Sequence, residues 1–265
     1  MIDNKREFKV VSKNNPRSLL PNTLTILGVC LGLSSIKFAI DTNYTMAVIA
    51  IGFAAILDTL DGRVARLIKG ASKVGKELDS LTDVISFGVA PSFVMYFWSI
   101  NKLGKIGWLI VLIYTVCCAL RLARFNLTSV DENESWKINF FEGVPSPAAA
   151  GLVLLPLILS LSNLIQLENY SVLSSITILT TSALMVSKLP TYSLKRIAIP
   201  RNLTVFLLLG IGIYFSLLIF YTFKTLFFSG LFYLILIPVS YIHYKRKVKT
   251  SDSATNEDTE AEDIL

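Results

Sequence analysis

Residues 58–83 read DTLDGRVARLIKGASKVGKELDSLTD, and the two pairs of aspartates that bound this stretch decide how the chain is read. Asp58 and Asp61 lie near the end of an apolar run at 45–66, and Asp79 and Asp83 near the start of another at 78–100. Runs of roughly 18 or more apolar residues can span a bilayer as helices. An ionised carboxylate inside such a span is costly unless it is paired or solvated, so all four aspartates are functional candidates. Asp58 and Asp61 are three apart on one helix and share a face with Gly62, Ala65 and Arg66. Asp79 and Asp83 are four apart and share a face of the next helix. The short basic loop between the runs makes the helices antiparallel neighbours, so the four carboxylates can converge near one membrane surface.

Carboxylates without His or Cys nearby suit a hard cation, Mg²⁺ or Mn²⁺. A pair of such ions stabilises the attacking and leaving oxygens in phosphoryl transfer. Arg66 could hold a phosphate bidentately, and Gly62 lets a ligand approach the helix backbone. Two other readings compete. A carboxylate–arginine cluster could join the helices, but only Arg63 and Arg66 stand near four acids. A proton relay in a cation- or proton-coupled transporter is the stronger rival, although such groups are expected near the midplane, often in broken helices.

Outward from this stretch, the chain of 265 residues is 53% hydrophobic. The expected architecture is all-α, a polytopic bundle of about eight transmembrane helices. The spans are read at 19–40, 45–66, 78–100, 106–125, 146–167, 171–189, 203–221 and 225–244. A basic arm at 1–18 precedes this membrane domain of 19–244, and a tail at 245–265 follows, basic and then acidic and expected to be disordered. No cleavable signal peptide is expected, since the first apolar run is long enough to span. With both termini cytoplasmic, the inner segments carry 21 of the 25 Lys and Arg, leaving Lys37, Lys102, Lys105 and Lys224 outside. That asymmetry sets the orientation by the positive-inside rule and supports an even number of spans. The net charge of +6 therefore reflects membrane topology, and no nucleic-acid partner is expected. Trp98 and Trp108 suit the outer aromatic belt. Cys30, Cys117 and Cys118 lie in apolar spans and read as small core residues. His243 reads as interfacial.

Written as a pattern, the opening stretch is Asp58-x-x-Asp61-Gly62-x-x-Ala65-Arg66, eight residues, then Gly75-x-x-x-Asp79-x-x-x-Asp83. It resembles, at every fixed position, the signature of the CDP-alcohol phosphotransferase family. The resemblance implies a helical membrane enzyme, commonly a homodimer, in which an alcohol displaces CMP from a CDP-linked donor. Pro21-Asn22-Thr23-Leu24-Thr25 resembles the nucleotide-side opening. Asn22, Thr25, Gly62, Ala65, Arg66 and Gly75 are thereby implied in donor binding.

Three further stretches resemble the phosphatidylserine synthase branch. They are Arg121-Leu-Ala-Arg124-Phe-Asn126, Phe141-Glu-Gly143-Val-Pro145-Ser146-Pro147-Ala-Ala-Ala150, and Met185-Val-Ser187-Lys188 running on to Lys195. From spacing alone, Arg121 and Arg124 read equally as membrane anchors or anion binders, and Pro145-Ser146-Pro147 as a helix start. The resemblance favours acceptor or phosphate binding by Arg121, Arg124, Asn126, Pro145 and Ser146. It implies CDP-diacylglycerol as donor and L-serine as acceptor, with glycerol phosphate, inositol phosphate or choline as alternative acceptors. Asp58, Asp61, Asp79 and Asp83 would be the metal ligands and Asp83 the general base. The expected setting is the cell (inner) membrane, with the active site cytoplasmic.

Overall fold

The computed structural model of the protein describes residues 19–68, 73–127, 140–192 and 203–262. The N-terminal arm at 1–18, the centre of the loop between the aspartate pairs and Lys195 lie outside the described residues.

Helix α1 (Leu19–Ile40) turns through three residues into α2 (Tyr44–Leu67). Asn43 caps α2 by accepting the backbone N–H of Met46 at 3.2 Å, which satisfies one of the orphan donors of a helix start. The two helices pack antiparallel along much of their length. Ala47, Ala50 and Ala54 are buried on one face of α2, and small residues at this spacing let helix backbones approach closely.

Helix α3 (Lys73–Asp83) runs through a π-helical turn (Val84–Val89) into α4 (Ala90–Trp98). Pro91 accounts for the irregularity. It has no N–H to give the carbonyl of Phe87, four residues back. The Tyr114 hydroxyl of α5 (Lys105–Leu127) donates to that carbonyl instead, at 2.9 Å. Ser86 in the same turn donates to the Gly28 carbonyl of α1 at 3.1 Å. Gly32 permits this contact, since a Cβ there would lie 2.9 Å from Ser86 Cα. The wide turn directly after Asp83 is therefore clamped from both sides.

A short 3₁₀ turn (Ile100–Leu103) joins α4 to α5. Beyond α5 come strand β1 (Phe140–Glu142), α6 (Ser146–Val153), α7 (Leu155–Ser162), α8 (Tyr170–Val186), strand β2 (Pro190–Tyr192), α9 (Thr204–Phe220) and α10 (Thr222–Glu262). The strands pair antiparallel, Phe141 opposite Thr191. This three-residue pairing is the sheet structure found among the described residues, and the fold is otherwise helical.

Five helices among the described residues are long and apolar enough to cross a membrane: Leu20–Ile40, Tyr44–Leu67, Val74–Trp98, Lys105–Asn126 and Thr222–Lys245. Shorter apolar helices stand at the other three expected positions, in keeping with a polytopic helical bundle. The expected span at 146–167 is the pair α6 and α7, interrupted at Leu154. Pro156 causes the break, because it cannot donate to the carbonyl of Leu152. The expected spans at 171–189 and 203–221 are α8 and α9, apolar helices of 17 residues each. At 1.5 Å per residue such helices cover about 25 Å, the short end of the range for a spanning helix. The backbone of α10 continues as helix to Glu262, through a segment with no Gly or Pro to stop it.

Candidate active site and metal centre

The course of α1, α2 and α3 brings three of the four aspartates into one group. Asp58, Asp61 and Asp79 each offer one carboxylate oxygen, and these oxygens all lie within 4.8 Å of one another. Asp61 is buried, and its Oδ2 accepts a hydrogen bond from the Thr25 hydroxyl of α1 at 2.7 Å. Asp83 stands outside this set of three, within hydrogen-bonding reach of Asp58. Its Oδ1 is buried without a hydrogen-bond partner.

These residues fit a divalent cation on electrostatic grounds. Two ionised carboxylates at that separation repel by about 3–4 kcal/mol at an effective dielectric constant of ~20. No Lys or Arg among the described residues forms an ion pair with any of the four aspartates. Arg63 and Arg66 are exposed on α2. A doubly charged ion with oxygen-only ligands offsets the repulsion, and hard cations favour that donor set.

The end of α5 supplies the neighbouring wall. Arg121 is buried, and its Nη1 donates to the Ser146 hydroxyl at 2.7 Å. The guanidinium lies close enough to Asp83 for the two charges to interact. Ser146 is fully buried in the first turn of α6, with Pro145 at the N-cap. That turn is held by the strand pairing and by Gly143, at φ +72°. A Cβ at Gly143 would lie 2.6 Å from the Met185 carbonyl oxygen, so only glycine fits without displacement. The Gly143 carbonyl accepts from Thr191 at 2.7 Å.

The remaining expected site residues fall into different roles. Arg124 donates to the carbonyls of Val186 and Ser187 at 2.9 and 3.3 Å, so its guanidinium closes the end of α8. Asn126 donates to Ser80 at 2.9 Å, tying α5 to α3. Thr25 serves Asp61. Asn22, Ala65 and Gly75 are half-buried at the same end of the bundle. A Cβ at Gly62 would meet no atom within 4 Å, leaving the helix backbone open to a ligand. Ser80 and Tyr114 carry structural duties around the site that no sequence spacing announced, since their partners are 46 and 27 residues away.

The fold and the site together define a polytopic helical membrane protein with a carboxylate centre suited to a divalent cation. The chain matches the family model of CDP-alcohol phosphatidyltransferases over residues 18–189, and it belongs to that family. Similar proteins include the CDP-diacylglycerol–serine O-phosphatidyltransferase of Mycobacterium leprae (strain TN), 35% identical over 229 residues, covering 86% of this chain and 76% of the relative. The enzyme of the same name from Mycobacterium tuberculosis (strain ATCC 25618 / H37Rv) is 38% identical over 196 residues, covering 74% of this chain and 68% of the relative. That of Helicobacter pylori (strain ATCC 700392 / 26695) is 45% identical over 145 residues, covering 55% of this chain and 60% of the relative.

Proposed function

We propose that the protein transfers the phosphatidyl group of CDP-diacylglycerol to the hydroxyl of L-serine, giving phosphatidylserine and CMP. The observation that carries this reading is the meeting of the α2 and α3 aspartates with Arg121 and Ser146 at one end of the bundle. The names of the similar enzymes support the same donor and acceptor. A lipid donor must keep its acyl chains in the bilayer while its diphosphate stays wet, and helix ends satisfy both demands.

Asp58, Asp61 and Asp79 would hold Mg²⁺ or Mn²⁺, two ions in this reading, with Asp83 close enough to share them. A divalent ion held there would supply positive charge to the diphosphate. Thr25 fixes the Asp61 carboxylate, and Gly62, Ala65 and Arg66 face the donor alongside Asn22 and Gly75. Asp83 takes the proton from the serine hydroxyl. The serine oxygen forms a bond to the lipid-side phosphorus, the bond from that phosphorus to the CMP oxygen breaks, and CMP leaves with the electron pair. The proton passes from Asp83 to water.

The deciding experiment is an acceptor panel. Purified protein with CDP-diacylglycerol and Mn²⁺ or Mg²⁺ is expected to release CMP with L-serine and far less with glycerol phosphate, inositol phosphate or choline. Release with one of those and none with serine would overturn the acceptor assignment.

The active site and both termini face the cytoplasm in this proposal, and the protein sits in the cell membrane. The 21-to-4 division of basic residues supports that orientation. A single cysteine at Ser72, on a cysteine-free background, should label only after permeabilisation, and strong labelling of intact cells would reverse the topology. The protein would act as a homodimer, which light scattering of the detergent-solubilised enzyme tests directly: a monomer mass at active concentrations removes that part.

A further inference from the structure

Four buried side-chain polar atoms among the described residues have no hydrogen-bond partner: Asp83 Oδ1, Arg121 Nε, Tyr233 Oη and Ser240 Oγ. Native proteins leave few such atoms, because each forfeits the interactions it had with water. Three of the four belong to one cluster. Arg121 interacts electrostatically with both Asp83 and Tyr233. Tyr233 comes from α10, which packs on α7 and β2. It stands beside Thr191, whose hydroxyl donates to the Gly143 carbonyl. Arg121 uses Nη1 on Ser146, while its Nε–H is a buried donor without a partner.

We propose that Tyr233 is a specificity-determining residue of the acceptor subsite, its hydroxyl and the Nε–H of Arg121 together binding the carboxylate of an amino-acid alcohol. Tyr233 lies beyond residues 18–189, so the family pattern does not include it. The charges select among acceptor classes. A dianionic phosphate at Arg121 would sit against the unpartnered oxygen of Asp83, and Arg124, the next guanidinium, is occupied by the end of α8. An acceptor that carries a cation and no carboxylate would leave Arg121 Nε and Tyr233 Oη unpaired. A zwitterion satisfies all three atoms, with its carboxylate on the two donors and its hydroxyl or ammonium toward Asp83.

This inference rests on the acceptor reading above, and the test separates the two. CMP release by wild type and Tyr233→Phe is measured with L-serine, L-serinamide and ethanolamine. The phenylalanine keeps the ring and removes only the hydroxyl. Losing one hydrogen bond to a charged group is expected to raise the KM for L-serine by about tenfold or more. The kcat at saturating serine and the KM for CDP-diacylglycerol should stay close to wild type. Preference for L-serine over L-serinamide should narrow by a similar factor. An unchanged KM for serine overturns the role of Tyr233. So does a loss that is equal for all three acceptors or extends to the donor, which would mark a structural role. Wild-type protein provides a check independent of the variant's folding: L-serinamide used as well as L-serine would overturn the carboxylate assignment. Wild type inactive with L-serine removes the acceptor reading and this inference with it, whereas an active wild type with an indifferent Tyr233→Phe removes the inference alone.

Discussion

Asp83→Asn is expected to lose about 10²–10⁴-fold in turnover, the usual contribution of a positioned general base, while keeping measurable affinity for CDP-diacylglycerol. The side chain sits at the junction of two environments. It is within hydrogen-bonding reach of Asp58, and its Oδ1 is buried with no hydrogen-bond partner. An amide has nearly the same shape and can donate to Asp58, so the packing around the π-helical turn survives. It cannot take the proton of an alcohol at neutral pH. If Asp83 also shares a metal ion, donor binding should weaken somewhat, since a negative ligand is lost. CMP release at saturating serine and metal, set beside direct binding of a cytidine nucleotide, separates these effects. Substantial turnover in the variant would remove Asp83 from the role of base.

Exhaustive chelation is expected to abolish activity, and Mg²⁺ or Mn²⁺ to restore it. Asp58→Asn and Asp61→Asn should differ from Asp83→Asn by weakening metal and donor binding together. Losing even an outer-sphere partner of a metal site costs about 10–100-fold in affinity or activity. Loss of a carboxylate from the set of three should cost at least as much. Asp61→Asn has a second consequence, because Thr25 on α1 donates to that carboxylate at 2.7 Å. An asparagine can keep this bond through its carbonyl oxygen, so the effect reads on charge more than on helix packing. Nucleotide binding measured across a range of metal concentrations should show the variant curves shifted to higher metal. Full activity after chelation would end the metal reading, and unshifted curves would exclude Asp58 and Asp61 as ligands.

Both expectations start from features legible in the sequence. The aspartate faces follow from spacings of three and four residues within single helices, and such local geometry holds whatever the helix packs against. The opposed courses of α2 and α3 follow from the short loop between them, while α1 is the helix that packs on both. Apolar run length likewise disclosed where most of the helices lie. It did not disclose that Pro156 splits one run into two short helices or that α8 and α9 are only 17 residues long.

The tertiary structure decided which neighbours each of these residues meets. Arg121 and Arg124 share a helix end and a residue type, yet one binds Ser146 near Asp83 and the other closes α8. Thr25, equally readable as a donor contact, is turned onto Asp61 by the packing of α1 on α2. Tyr233 lies 112 positions beyond Arg121, on a helix whose apolar composition gave no hint of a site. The physical reason is range. Periodicity fixes a side chain's direction relative to its own helix, whereas the identity of its partner depends on how separate helices dock, and that depends on contacts spread along the whole chain.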